Sequence, residues 1–378
     1  MALLSRIAIR DFRNIERADL VFPPDGVVII GDNGQGKTNL LEAIYYFQLL
    51  RSMRGARDQD LIHFGANAFH VRAHVGPAGD HELSAAFERR GRKKVVADGA
   101  EVKRLSSALG SLPSVVISPR DVELIIGAPS ERRRFLDVVL ALTSPRYLAA
   151  LQKYRGSLTR RNAALRIVGR GAETEESVAI WEPALAESGA VLLAERVAWM
   201  EQNEGEFARL AGAIGEPDEM TVRYSTTVNN TADARDELLD TLARKRQIDI
   251  RRGLTHVGPH RDDIDIAIGG RELRTFGSGG QQRTAAITLR LLEAATIKAH
   301  EGSDPVLLLD DPFAELDVKR SAHILGLLHE TTTGQTILTV PRASDIPPDL
   351  TRLSRWHVVD GVIDANMDAA VGDSGGAT

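Results

Sequence analysis

The sequence predicts an α/β head that carries a small antiparallel β subdomain and is interrupted by an inserted, mainly α-helical lobe. Three observations predict it. An apolar run bounded by glycines, Gly26-Val-Val-Ile-Ile-Gly31, leads through a glycine-rich turn into a stretch with helical apolar spacing. Short alternating segments and several glycines fill 60–118. From about Pro119 to Arg252 the chain is rich in Leu, Ala, Arg and Glu, and strand-like alternation returns only near Leu254. The head is therefore discontinuous, 1–118 with 253–365. The helical lobe occupies 119–252, and 366–378, small and polar, reads as a flexible tail.

Taken in order, Leu4 to Ile9 alternates as a strand does, and the run ending at Gly31 suits a central strand buried on both faces. Asn39 to about Leu50 places Leu40, Leu41, Ile44 and Phe47 at helical spacing. His70–Val75 and Val95-Val96 read as parts of the antiparallel sheet. Within the lobe Leu192, Val197 and Met200 recur at helical intervals, but no heptad persists, which excludes a long coiled coil. Ile264 to Ile268 alternates again, and Pro305-Val-Leu-Leu-Leu-Asp310 is a buried strand ending in acid.

Composition narrows the function classes. With 378 residues, 43% hydrophobic and 26% charged, the chain is an ordinary globular protein with room for two domains. It has no cysteine, so thiolate metal sites, disulfides and cysteine nucleophiles are excluded. The N-terminus lacks a signal-peptide apolar region, and no stretch approaches the roughly 18 apolar residues of a membrane span; a cytoplasmic protein without a membrane partner is expected. The net charge of -5 argues mildly against a nucleic-acid partner, although the arginines are clustered.

The chemistry begins at Gly31-Asp32-Asn33-Gly34-Gln35-Gly36-Lys37-Thr38, a full match to G-x-x-x-x-G-K-[ST] with a strand before it and a helix after it. Glycines let successive amides turn inward on phosphate oxygens, and the helix beginning near Thr38 and Asn39 adds its positive end. Lys37 brings a point charge to the β- and γ-phosphates, and the Thr38 hydroxyl is a ligand for Mg2+. The cofactor expected is ATP with Mg2+. The strand ending in Asp310-Asp311 supplies the rest: Asp310 for the metal, and Asp311, one residue on, to polarise an attacking water.

A second cradle lies at Ser278-Gly279-Gly280-Gln281, before a strongly helical segment from Ala285 to Lys298. Ser278 suits an N-cap, and two glycines after it leave amides uncovered at the positive helix end. One γ-phosphate does not need two cradles from one subunit, so this one is expected to close on ATP held by another copy, in an ATP-dependent homodimer. The order P-loop, SGGQ, acidic strand and Glu315-Leu316-Asp317 is the ABC-ATPase signature set, with Asp317 at the seam.

Further segments narrow the resemblance. Asp11-Phe12-Arg13-Asn14, the run Gly34 to Ile44, Pro129-Ser-Glu-Arg132-Arg133-Arg-Phe135-Leu136-Asp137, the pair Arg161-Asn162 and Gly253 to Asp263 together resemble the RecF family of bacterial recombination mediators, over residues 1 to about 340. The resemblance implies an ABC-ATPase head, Arg13 and Asn14 near the nucleotide, and a weak DNA-dependent ATPase that works as a switch. It implies action in recombinational repair and replication maintenance, at double-stranded DNA and double/single-strand junctions. It further implies partners of the RecO/RecR type and a bacterial, nucleoid-associated location. No glutamine stands near Ser118-Pro119 and no histidine at Thr339-Val340-Pro341, so slow hydrolysis is expected. His256 and His260 read as structural, tied to the Gly258-Pro259 turn.

Arginine groups that could meet the DNA backbone occur at Arg51, Arg54 and Arg57, at Arg132-Arg133-Arg134, at Arg160-Arg161, and at Arg244-Lys245-Arg246 with Arg251-Arg252; the candidates singled out are Arg54, Arg132, Arg133 and Arg161. Aromatic residues are 5% of the chain, which argues against single-strand stacking platforms. A non-DNA ABC-type subunit remains the alternative reading.

Overall fold

The computed structural model describes residues 3–228, 233–313, 318–331 and 334–365. The chain divides into two compact units, Met1–Asp121 with Glu293–Thr378, and Val122–Leu292.

The first unit holds two six-stranded sheets. One is antiparallel, in the order Ile15–Val21, Leu4–Phe12, Ala68–Val75, His81–Glu88, Lys93–Ala97, Ala100–Glu101. The other runs Val362–Asp364, Ser354–Val359, Gly26–Ile30, Thr336–Val340, Val306–Asp310, Ser114–Ile117, and all its pairings are parallel except the terminal hairpin. Gly26–Ile30 is buried along its whole length between Ser354–Val359 and Thr336–Val340. An unbroken apolar run is what a strand covered on both faces requires. Burying Val27, Val28 and Ile29 fully stabilises the sheet by about 1.5–3 kcal/mol each. The helix after the turn spans Lys37–Leu49 and keeps Leu40, Leu41, Ile44 and Phe47 at 0% exposure.

Ser114–Ile117 lies within the tract expected to be antiparallel, yet it pairs parallel with Val306–Asp310. Its four residues are all buried, the signature of the central sheet and not of a half-exposed one.

The second unit is built on four helices, Pro129–Thr143, Pro145–Val168, Glu182–Ile214 and Ala234–Arg252. The first three carry proline in the opening turn, where its missing N–H costs nothing. Ser144 caps the second, its Oγ accepting from the Tyr147 amide at 3.1 Å. The 33-residue helix Glu182–Ile214 belongs to a stretch long and apolar enough to cross a membrane. It packs instead as a core helix: Leu185, Leu192, Leu193 and Phe207 are buried, and Glu182 and Arg196 are held in buried ion pairs.

The strand Met220–Ser225 pairs antiparallel with Asp263–Ile268. Sequence alternation marks Ile264 to Ile268 as a strand but does not say which strand it joins. The pairing draws 253–292 into the helical unit, whereas the sequence reading returned the chain to the head at 253. The expected tail at 366–378 lies outside the described residues.

Candidate nucleotide site

The Gly26–Ile30 strand delivers the chain into the loop 31–36, and the Lys37–Leu49 helix opens directly from it. Gly34 and Gly36 sit at φ 85° and 116°, torsions closed to most side chains, with Gly36 as the residue before the helix. A Cβ on Gly34 would meet nothing within 4 Å, whereas one on Gly36 would come within 2.8 Å of Asn14 Oδ1. Asp32, Asn33 and Gly34 are exposed along the rim of the loop. Lys37 is 7% exposed. Its Nζ donates to the Gly31 carbonyl and, at 2.9 Å, to that of Asp32. Burial pushes the Lys37 ammonium below its ordinary range, against the opposing pull of Asp310, Asp311 and Asp32.

The acidic strand meets this loop edge-on. Thr38 Oγ1 lies 2.9 and 3.0 Å from the two carboxylate oxygens of Asp310, and Thr339 Oγ1 donates to Asp310 Oδ1 at 2.9 Å. The hydroxyl and carboxylate converge as a set of hard oxygen donors, the kind that suits a small divalent cation. Asp311 follows at φ 48°, its amide bonded to the Thr339 carbonyl at 3.1 Å. That left-handed torsion turns the chain away from the strand axis immediately after Asp310.

Asn14 holds the loop from the other side. Its Nδ2 donates to the Gln35 carbonyl at 3.1 Å, and its Oδ1 accepts from Asn39 Nδ2 at 2.7 Å. The Gly361 amide reaches the same Gln35 carbonyl at 2.8 Å. Arg13, at φ 54°, turns its guanidinium onto Glu42, with Nε 2.9 Å from Oε2.

Glu42 went unseen in the sequence. It is fully buried on the Lys37–Leu49 helix and accepts from Arg13, Arg54 and Ser52. Burial pushes its carboxyl up, but the hydrogen bonds from Arg54, Arg13 and Ser52 outweigh burial and hold it below the usual range. Arg54 also donates to Asn39 Oδ1 at 2.6 Å. A continuous chain of bonds thus joins Arg13, Glu42, Arg54, Asn39, Asn14 and the loop backbone at Gln35. A glutamate amid the buried face of a helix was the one signal available.

In the second unit Ser278 and Gln281 form a reciprocal cap. Gln281 Oε1 accepts from the Ser278 amide at 2.9 Å, and Ser278 Oγ from the Gln281 amide at 3.3 Å. Ser278 and Gly279 are exposed at the start of the helix Gly279–Glu301, whose opening amides have no acceptor within the helix. Asp317 lies outside the described residues.

Among the arginines expected to face DNA, the structure corrects two. Arg161 is 0% exposed, bonding Asp249 Oδ2 and Thr255 Oγ1 at 2.8 Å and Glu182 Oε1 at 3.0 Å. Arg132 is buried in a two-pronged pair with Asp263, at 2.7 and 2.8 Å. Neither guanidinium reaches the surface. Arg133 donates to the Asp262 carbonyl at 2.8 Å, and Arg54 is committed to Glu42. The same network absorbs Gly253 to Asp263. Gly258, at φ 120°, admits no side chain because a Cβ would stand 2.5 Å from the Tyr154 hydroxyl.

His260 sits in that network. Its Nε2 faces the Thr255 carbonyl at 3.0 Å and so carries the proton, and its Nδ1 accepts from the Tyr154 hydroxyl at 2.6 Å. Burial, aided by Arg261 and Arg133, lowers it to about 4. Above the unfolded value of about 6.5 neither state is protonated. As pH falls from there toward about 4, the unfolded chain binds a proton that the folded chain refuses, and stability drops by up to about 3 kcal/mol. His260→Gln should remove this component. Urea melts are expected to show the variant losing about 2 kcal/mol less than the parent between about pH 6.5 and pH 5; equal losses would count against a buried neutral His260.

Residues 3–346 match the RecF/RecN/SMC N terminal domain family. The chain is 33% identical over 366 residues to the DNA replication and repair protein RecF of Lachnoclostridium phytofermentans, covering 96% of this chain and 99% of that one. It belongs to the RecF family. The RecF of Chloroflexus aurantiacus is 35% identical, with 94% and 97% covered. A solved structure of the recombination mediator protein RecF-ATPrS in the RecFOR pathway superposes with TM-score 0.87 at 30% identity, covering 96% of this chain and 98% of that one. The fold is accordingly the RecF/SMC-type ATPase head with a helical insert, and the family is one of DNA replication and repair.

Proposed function

We propose that this RecF-family chain is an ATP-dependent switch that clamps duplex DNA near single-strand gaps, at double/single-strand junctions, and helps load recombinase together with mediators of the RecO/RecR type in the cytoplasm. The observation that carries the reading is the Thr38–Asp310 pair set beside the loop 31–36 at the start of the Lys37–Leu49 helix. Lys37 and the loop amides would hold the β- and γ-phosphates, with Asn14 keeping the loop in shape. Thr38 and Asp310 would hold a magnesium ion, which when bound offsets charge on those phosphates. Asp311, one residue on, would orient the attacking water and accept its proton. Two solved RecF relatives are described with ATP and with ATPrS, which supports a triphosphate as the ligand.

In this reading Ser278, Gly279, Gly280 and Gln281 of one protomer cover the triphosphate held by its partner. Ser278 and Gly279 are exposed and Gly280 and Gln281 half-buried, as a seam residue set can be, and the Gly279 and Gly280 amides at the helix start suit a phosphate oxygen. ATP then joins two weak DNA contacts into one bidentate grip, raising affinity through effective concentration. With no histidine at 339–341, turnover is slow and hydrolysis serves to release the clamp.

The test is duplex binding with ATP, with ADP and without nucleotide, at two salt concentrations. Binding that needs ATP and weakens steeply with salt is expected; nucleotide-independent binding, or none, would overturn the clamp. Asp311→Asn should retain ATP and the dimer while hydrolysis falls at least about a hundredfold, the usual contribution of a positioned base. An unchanged rate of phosphate release would remove Asp311 from this role.

A further inference from the structure

We infer that the outer face of the Ala234–Arg252 helix, joined by the end of the Pro145–Val168 helix, is the surface that grips the duplex phosphate backbone; the inference rests on the DNA reading above. Burial divides the Ala234–Arg252 helix into two faces. Leu238, Leu242 and Asp249 point inward, and Arg244, Lys245, Arg251 and Arg252 are exposed. Seven residues separate Arg244 from Arg251 and Lys245 from Arg252, two helical turns, so each pair stacks on one face about 10 Å apart.

The neighbouring helix adds Arg166, and the turn that follows it Arg170, to the same end of the unit. A Cβ on Gly253 would lie 3.1 Å from Arg166 Cγ, and one on Gly169 would lie 2.9 Å from the Ile250 carbonyl. Arg166, Arg170, Lys245, Arg251 and Arg252 form no ion pair among the described residues, and Arg244 bonds only Thr241. These cations stand together in a chain whose net charge is -5.

Two plainer explanations fall short. Basic residues in a last turn offset the helix dipole, which accounts for Arg251 and Arg252 but not for Arg244 and Lys245, two turns earlier. The exposed apolar residues beside the cations are Ile167, Ile248 and Leu254, 39%, 41% and 44% exposed, aliphatic side chains on segments whose other exposed groups are mostly charged, whereas the centre of a protein-docking face is depleted in charge and enriched in aromatic residues. The exposed rings, Phe64 and Phe276, lie elsewhere in the chain, so the face suits phosphates and not unstacked bases. A row of unpaired cations without aromatics fits contact with a duplex backbone that does not read sequence.

The experiment uses full-length protein with ATP, a fluorescent duplex and a poly-glutamate peptide. Replacing Lys245, Arg251 and Arg252 together by alanine should weaken duplex binding at least about tenfold and lower the slope of log affinity against log salt by about three, near 0.9 per lost phosphate contact. ATP affinity and dimerisation should not change. Alanines at Arg89, Arg90 and Arg92, an equally exposed basic turn, should leave duplex binding as it was. If the parent binds duplex and the first variant binds it with the same slope, this surface is wrong while the DNA reading stands. Equal losses in both variants would mean diffuse attraction and would overturn the site. Tight poly-glutamate binding lost in the first variant, with duplex affinity intact, would make the face a dock for acidic protein. A parent that binds no duplex removes the reading beneath the inference and the inference with it.

Discussion

Arg161→Ala should destabilise the protein by about 3–5 kcal/mol, a large part of what a domain of this kind has to lose. Arg161 is among the largest fully buried side chains of the described residues, and it joins three segments: Asp249 near the end of one helix, Glu182 at the start of another, and Thr255 beyond them. Asp249 is wholly buried and Glu182 nearly so. Removing the guanidinium leaves Glu182 with Arg246 alone and the buried Asp249 with only the His256 ring, so Asp249 loses its one permanently charged partner. Arg161→Lys should recover only part of the loss, because one ammonium cannot reach all three acceptors in the geometry of a planar fork. Chemical denaturation monitored by far-ultraviolet circular dichroism measures the effect. A loss below about 1 kcal/mol would show that the pocket relaxes or hydrates, and would return Arg161 to the pool of dispensable charges.

Lys37→Ala should cost ATP affinity about one to two orders of magnitude and abolish ATP-driven dimerisation. A charge-assisted hydrogen bond contributes roughly 1.5–3 kcal/mol, and a buried ammonium facing phosphate is at the upper end. The lysine is held ready by the Gly31 and Asp32 carbonyls in a place where burial already disfavours its charge, so a polyanion is what would best compensate it. Alanine should leave the fold intact, because the loop remains clamped by Asn14 and the Gly361 amide at Gln35. Sedimentation velocity with and without ATP gives the result. A variant that still dimerises with ATP would detach dimer formation from this loop.

Much of the candidate site was legible because it is local. Eight consecutive residues, with a strand before and a helix after, specify the glycine-rich loop and its place between them, and a strand ending in Asp310-Asp311 announces its own acids. The arginines were misread for the opposite reason. Arg132 finds Asp263, and Arg161 finds Asp249, only when distant segments fold together. A basic cluster in a sequence carries no sign of which members will meet an acid. Glu42 was missed likewise, since its partners Arg13 and Arg54 come from either side of it in the chain.

What the sequence by itself determined was the α/β class, the loop and its helix, the acidic strand and the family, all written in short-range patterns of apolar spacing, glycine and charge. What only the tertiary structure decided was strand partnership and charge partnership. Ser114–Ile117 went to the parallel sheet, Asp263–Ile268 to Met220–Ser225, and the buried arginines to their carboxylates. The reason is physical: hydrogen-bond ladders and ion pairs are contacts between segments far apart in the chain, and their free energy depends on desolvation, which exists only once the chain has closed around them.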